Sequence, residues 1–199
     1  MPCKVICVLL LILSVVIRPV PVPAHPHVFA ITSIEVVFKE GKPGELKTSW
    51  SFDEAYSAMM LEDYDTDKDG KFTGAELALL KEEGFDFVKE DSYYTFLNYN
   101  GKRNHPVTIE DFGCLVEEGV VVYTFTVPLT QAPSKGPLRI SQYDPQNYTA
   151  IFFSEAAPIH FSGKGSEAAK VTFQEDTEVS YYFDMLHPIE AVVTWGGDA

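Results

Sequence analysis

A stretch of twelve residues, DTDKDGKFTGAE at positions 65–76, constrains the fold of this chain more than any other. Its aspartates stand at alternate positions, and in a tight coil their carboxylates would repel one another unless a cation lay between them. Gly70 follows them and permits a backbone reversal that a Cβ would oppose. The stretch fits the D-x-D-x-D-G-x5-E template of a calcium loop along its whole length, and that template requires a helix on each side.

Six residues of this loop are predicted to supply oxygen ligands to Ca²⁺, namely Asp65, Asp67, Asp69, Lys71, Thr73 and Glu76. Lys71 would offer only its backbone carbonyl, and Thr73 would bind directly or through water. Glu76 stands twelfth, where it would use both carboxylate oxygens. Mg²⁺ stays open as an alternative occupant. The sequence has one such loop, whereas sensor modules usually work in pairs, so a structural role for calcium is favoured over signalling.

Apolar residues recur at helical spacing on both sides of the loop. They are Tyr56, Met59, Met60 and Tyr64 before it, and Leu77, Leu80, Phe85 and Val88 after it. Residues 53–91 are therefore predicted to form an EF-hand-type helix–loop–helix. Phe72 occupies the apolar position of the loop and is expected to pack between the two helices.

Strand patterns dominate the rest of the chain. Residues 27–39 and 45–52 form two β-rich runs joined by a turn at 40–44, and Asn100-Gly101 favours a hairpin. Further short strands with Pro and Gly between them continue toward the carboxyl end. The predicted fold class is α+β: residues 25–199 form a single β-sandwich-like domain into which the EF-hand-type segment is inserted.

The amino-terminal segment is typical of a secretory signal peptide. Lys4 precedes an apolar run at 5–17, which is shorter than the roughly 20 residues of a membrane span. Val22-Pro23-Ala24 then offers small residues before a cleavage point. Residues 1–24 are predicted to be removed, which makes the protein periplasmic or secreted. An uncleaved anchor is the alternative, and Arg18 after the apolar run is its main support.

Charge and cysteine content narrow the classes of partner. Without Lys4 and Arg18 the chain has 13 basic and 29 acidic residues, so its formal net charge changes from −14 to −16. Such a surface repels phosphate backbones and attracts cations, so nucleic acid is excluded as a partner and metal ions are favoured. Cleavage also leaves Cys114 as the one cysteine, so the mature chain has no internal disulfide.

Two histidines follow the expected cleavage point. His25 would carry a free α-amine beside its imidazole, and His27 would project from the same face of an extended chain. These nitrogens suit Ni²⁺, Co²⁺, Cu²⁺ or Zn²⁺. Pro26 lacks the N–H that an amide-chelated, square-planar site would need. A further ligand would come from elsewhere, and the candidates are His105, His160 and His187.

The segments AHPHVFA, YYTFLNYNGK and LRISQYDPQNYTAIFF, together with the inserted acidic loop, resemble a bacterial exported family, domain of unknown function 1007. That family is often labelled the periplasmic component of an uncharacterised ABC-type transport system. Its starting His-Pro-His corresponds to residues 25–27, and Phe29 stands where a tryptophan is usual. The resemblance implies a role beside nickel, cobalt or zinc transporters. The Tyr-Asp-Pro segment at 143–145 is equally suited to a structural turn.

Three functions are compatible with these features. The leading hypothesis is a periplasmic metal-binding accessory protein that assists transition-metal uptake or handling, has a structural calcium site and serves an inner-membrane transporter. The second is a copper histidine-brace oxidoreductase. The third is a calcium-stabilised interaction module of a transporter. The sequence has no GxSxG motif, catalytic Cys/His signature or phosphate loop, so an enzyme is not expected.

Overall fold

The computed structural model describes residues 26–99, 101–104, 107–130, 132 and 134–196. The first sheet contains β1 (Val28–Lys39), β2 (Lys42–Phe52), β5 (Glu110–Glu117), β6 (Val120–Pro128), β8 (Thr149–Phe153) and β9 (Ile159–Gly163). The second contains β3 (Thr95–Tyr99), β4 (Lys102–Asn104), β7 (Leu138–Gln142), β10 (Lys170–Glu175) and β11 (Ile189–Thr194). The helices are α1 (Glu54–Tyr64) and α2 (Gly74–Gly84), and two 3-10 segments follow at Asp86–Lys89 and Ser92–Tyr94. The prediction of a β-rich α+β chain is confirmed.

The first sheet is organised around β1. Its strand order is β5-β6-β2-β1-β8, and β9 also pairs with β1. β8 runs parallel to the first part of β1 and β9 runs parallel to the second part, so one long strand carries two short ones along the same edge. Alternate residues of β1, including Ala30, Ile34 and Val36, are completely buried, as the two-residue period of a strand with one core face requires.

The turn between β1 and β2 is shorter than the sequence pattern predicts. β2 begins at Lys42 and pairs Pro43 with Phe38, so only Glu40 and Gly41 lie between the strands. Both turn residues have positive φ angles, 53° and 79°, which suits a two-residue hairpin turn. A register shift between Val37 and Phe38 accommodates the early start of β2.

The second sheet is antiparallel throughout, in the order β10-β11-β7-β3-β4. Tyr99 of β3 pairs with Lys102 of β4, which confirms the hairpin expected from Asn100-Gly101; Asn100 itself lies outside the described residues. The predicted leader at residues 1–24 lies outside them too. Within the described ranges, neither helix has the length and hydropathy needed to cross a bilayer.

One buried glutamine connects the two sheets through hydrogen bonds. Gln142 of β7 accepts from the Thr32 hydroxyl at 2.5 Å and from the Trp50 indole at 3.3 Å, both in the first sheet. Its amide nitrogen donates to the Thr95 hydroxyl of β3 at 2.9 Å. Gln142 is only 4% exposed. A buried network with all of these partners satisfied fixes how the two sheets pack against each other.

Replacing Gln142 with leucine is expected to lower the free energy of unfolding by about 2–4 kcal/mol, since two buried donors then lose their acceptor. Urea denaturation followed by tryptophan fluorescence measures the change. Gln146→Leu is the control, because Gln146 is exposed and the same substitution there should alter stability by less than about 0.5 kcal/mol. Equal stability of the two variants would show that the network does not hold the sheets together.

The helical segment packs on β6 of the first sheet. The backbone N–H of Val121 donates to the Ser57 hydroxyl of α1 at 3.0 Å, and the Tyr123 hydroxyl donates to the Met60 sulfur at 3.3 Å. Phe85, directly after α2, is 1% exposed. Its ring contacts those of Trp50, Tyr93, Phe112 and Tyr123. These contacts attach both helices to the sheet and so fix the position of the loop between them.

Candidate metal centre

The loop from Asp65 to Thr73 is held by its own carboxylates. The two Asp65 oxygens accept from the backbone N–H groups of Asp69 at 3.2 Å and Gly70 at 3.0 Å. One Asp69 oxygen accepts from the N–H of Lys71 at 2.8 Å. The chain thereby wraps around the side chains that the sequence pattern assigns to an ion.

Two residues between the two helices adopt left-handed backbone conformations. Lys68 has a φ of 60° and Gly70 a φ of 74°. A Cβ added at Gly70 would meet no atom within 4 Å, so glycine is required there for its backbone angle and not for space. The reversal brings the first aspartates back toward the start of α2. Phe72 is 3% exposed and belongs to the apolar core.

Three of the six predicted ligands come together. Ligand oxygens of Asp65, Asp67 and Glu76 lie within 4.8 Å of one another. Asp65 is buried, Glu76 is half-buried and Asp67 is exposed, so the cluster opens to solvent on one side. The other three predicted ligands, Asp69, Lys71 and Thr73, are exposed and are not members of this group.

Glu76 connects the two ends of the loop. One of its carboxylate oxygens accepts from the Thr66 hydroxyl at 2.7 Å, from the Thr66 N–H at 2.9 Å and from the Asp67 N–H at 3.3 Å. The hydrogen bond from the Thr66 hydroxyl is the largest influence on this carboxyl and lowers its pKa. Glu76 is therefore anionic at neutral pH, as a cation ligand must be. The sequence pattern did not identify Thr66, although a hydroxyl at the second loop position could have indicated a hydrogen bond to Glu76.

The amino-terminal histidines are only partly covered by the structure. His25 and His105 lie outside the described residues. The backbone N–H of His27 donates to the Tyr148 carbonyl at 2.8 Å, and the two rings lie 5.0 Å apart at an angle of 44°. The side chain of His27 is exposed, so the start of β1 presents an imidazole at the protein surface beside Tyr148.

The other two candidate histidines do not join His27. His160 of β9 pairs with Glu35, which lies eight residues along β1 from His27 and hence roughly 26 Å away at 3.3 Å per residue. His187 is exposed, with its Nδ1 atom 2.6 Å from the Val179 carbonyl oxygen. Among the described residues, no group of three converging metal-binding side chains includes a histidine.

The Tyr-Asp-Pro segment forms a turn next to the start of β1. Asp144 is 2% exposed, and its carboxylate accepts from the N–H groups of Gln146 at 2.8 Å and Thr149 at 2.9 Å. Burial, and after it the charge of Asp144, raises the pKa of Asp91. Asp144 thus closes the turn that leads into β8, which supports the interpretation of this segment as structural.

Cys114 on β5 is half-buried, and burial raises the pKa of its thiol to about 12. Since the thiolate is the reactive form, we expect its reaction with Ellman's reagent at pH 8 to be slower than that of the urea-unfolded chain by a factor on the order of 1000. The thiol pKa is higher in the folded chain than in the unfolded chain, so unfolding releases a proton at pH values between the two. The free energy of unfolding is therefore unaffected by this group below the unfolded pKa and falls as the pH rises from there toward 12. Comparable rates in the folded and unfolded protein would contradict this account of the thiol.

Comparison with known proteins places the chain in a family. Residues 10–191 match the family described as "Protein of unknown function (DUF1007)", and the chain belongs to it. It is also similar to the "Uncharacterized 15.5 kDa protein in trpE 3'region" of Spirochaeta aurantia. The two are 29% identical over 137 residues, which cover 68% of this chain and 98% of the relative. Neither description names an activity, so function has to be argued from the site.

Proposed function

We propose that this protein is an exported, divalent-cation-binding accessory protein in which Ca²⁺ occupies an EF-hand-type loop at residues 65–76. The observation that carries the proposal is the convergence of the Asp65, Asp67 and Glu76 carboxylates between two helices. Hard oxygen donors at alternate loop positions, with a glutamate at the twelfth, are the ligands that Ca²⁺ takes in such loops. The net charge of −14 favours cations at the surface as well.

The proposed role of calcium is to hold the helical segment rigid on the sheet. Without an ion the clustered carboxylates repel one another, and the ends of α1 and α2 then separate most easily at the loop. An affinity on the order of 10⁻⁴–10⁻³ M, typical of extracellular modules, is sufficient for this role. Mg²⁺ is the competing occupant, and it demands a smaller, octahedral site.

Isothermal titration of the purified protein with CaCl₂ tests this proposal. We expect one Ca²⁺ per chain and a Kd in the range given above. The same titration with MgCl₂ is expected to give weaker binding, because a flexible loop of carboxylates suits the larger ion better. Absence of saturable calcium binding up to 10 mM would remove the basis of the proposal.

A second part of the proposal concerns transition metals at the amino terminus. Cleavage after Ala24 would give His25 a free amine, and His27, two residues later in the sequence, is exposed just before β1. The protein would then hold Ni²⁺, Co²⁺, Zn²⁺ or Cu²⁺ for an inner-membrane metal transporter, in keeping with the resemblance described above. The exposed position of His27 at the surface supports this site. A further ligand to the metal would come from elsewhere.

The double variant His25→Ala/His27→Ala separates this part of the proposal from the calcium site. We expect it to lose stoichiometric Ni²⁺ and Cu²⁺ binding while calcium binding is unchanged. His160→Ala is the matched control, since His160 is exposed on β9 far from the amino terminus. Transition-metal binding as tight in the double variant as in the wild type would contradict the amino-terminal site and leave the calcium site intact.

A further inference from the structure

A cavity of about 80 Å³ lies between the start of β1, the carboxyl end of α2 and the segment around Tyr148. Eight of the twelve described residues that line it are aromatic. Two of these rings, from Trp50 and Tyr94, are nearly parallel, with centroids 6.2 Å apart. Phe87 and Tyr148 are 65% and 51% exposed, so they form the side of the cavity that faces solvent. The result is an aromatic box with an opening.

The electrostatic surroundings of this aromatic box are negative. The Asp53 carboxylate accepts from the backbone N–H of the lining residue Tyr56 at 3.0 Å, and after burial the charges of Asp144 and Asp91 raise the pKa of Tyr94. The carboxyl end of α2 meets the cavity with partial negative charge, and the positive amino end of α1 beside Tyr56 is capped by the Asp53 carboxylate. A ligand group in this position is stabilised if it carries positive charge.

The lining excludes most kinds of cation. None of the twelve described lining residues carries a charge, and the wall is almost wholly carbon. An ammonium group with N–H bonds would lose its hydrogen bonds to water without gaining replacements. A quaternary ammonium group has no N–H to satisfy, and it is attracted to the faces of aromatic rings.

The size of the cavity agrees with this chemistry. A cavity of roughly 150 Å³ holds one benzene molecule, which has six heavy atoms. At the same volume per heavy atom, a space of about 80 Å³ holds about three heavy atoms, so it would take the methyl groups of a trimethylammonium head and leave part of the head at the opening. The remainder of a larger ligand would have to extend past Phe87 and Tyr148 into solvent.

We propose that this aromatic box binds the quaternary ammonium head of a small organic cation. The proposal does not use the acidic loop, and it borders the proposed amino-terminal metal site because the Tyr148 ring contacts that of His27. Phe87 and Tyr148 are assigned as the rings that cover the head group, and the buried rings of Trp50 and Tyr94 form the back of the site.

Titration calorimetry with choline and with its neutral isostere 3,3-dimethylbutan-1-ol tests the proposal, at a fixed calcium concentration. The two probes have the same shape and differ in charge. We expect saturable 1:1 binding of choline, at least tenfold tighter than that of the neutral alcohol. Equal affinities would show that the cavity takes apolar groups only, and failure of choline to bind saturably would likewise overturn the proposal.

Surface variants locate the binding to this cavity. Phe87→Ala and Tyr148→Ala are each expected to weaken choline binding roughly threefold to thirtyfold, the range for loss of one cation–π contact. Tyr148→Phe keeps the ring and should retain affinity. Phe152→Ala is the control, because Phe152 is 53% exposed and does not line the cavity. Unchanged binding in both alanine variants, with folding verified by circular dichroism, would contradict the assignment.

Discussion

Replacing Glu76 with glutamine is expected to weaken calcium binding by at least a factor on the order of 100, because even changes outside the ligand shell cost a metal site 10–100-fold. Glu76 supplies a negative charge and connects the two ends of the loop through Thr66 and Asp67. The variant keeps the shape of the side chain and removes its charge. A large effect would therefore report on the ligand itself and not on the fold.

The stability of the protein gives a second measure of the same change. At a calcium concentration 100 times the wild-type Kd, binding raises the free energy of unfolding by about 2.7 kcal/mol. If the variant binds 100-fold more weakly, the gain at that concentration falls to about 0.4 kcal/mol. Urea denaturation with and without calcium measures both values.

Glu82→Gln is the matched control for this experiment. Glu82 is exposed on the same helix, and the same charge is removed outside the loop. We expect its calcium affinity to stay within about twofold of the wild-type value, since exposed charges at this distance are largely screened by salt. A similar loss in both variants would mean that calcium responds to the overall charge of α2 and not to a ligand at position 76.

Replacing Phe85 with alanine is expected to lower the free energy of unfolding by about 3–5 kcal/mol, as for other fully buried phenylalanines. Phe85 is 1% exposed, and its ring lies 6.0 Å or less from those of Trp50, Phe112 and Tyr123. It joins the end of α2 to the first sheet. The midpoint of thermal unfolding should fall by roughly 10 °C.

Phe87→Ala provides the comparison for this substitution. Phe87 stands two residues later but is 65% exposed, so the same truncation should change stability by less than about 0.5 kcal/mol. Thermal unfolding of the three proteins in the same buffer measures the difference. If Phe85→Ala were as stable as Phe87→Ala, the helical segment would not be attached to the sheet in the way described.

Local patterns in the sequence were sufficient for much of the architecture. The spacing of Tyr56, Met60 and Leu80 indicates helices, and the loop template indicates what lies between them, because these signals depend on residues close together in the chain. Hairpins such as that between β3 and β4 are equally local. The start of β2 was predicted less well, since a bulge near Phe38 allows Pro43 to enter the strand.

Contacts between distant parts of the chain could not be predicted in this way. The parallel pairing of β8 and β9 with β1 joins residues more than a hundred positions apart. The Gln142 network and the aromatic box also bring together side chains from several elements. Their residue types are ordinary for a core, so nothing in the sequence distinguishes them before the sheets are assembled.

We propose that the chain is exported and holds one calcium ion at residues 65–76. Native mass spectrometry of protein recovered after export, in millimolar Ca²⁺, tests it most directly, because one spectrum gives the amino terminus and the number of bound ions. We expect a chain that begins at His25 and carries a single Ca²⁺, which is absent from Glu76→Gln under the same conditions. A spectrum with no bound calcium, or with equal calcium in the variant, would contradict it.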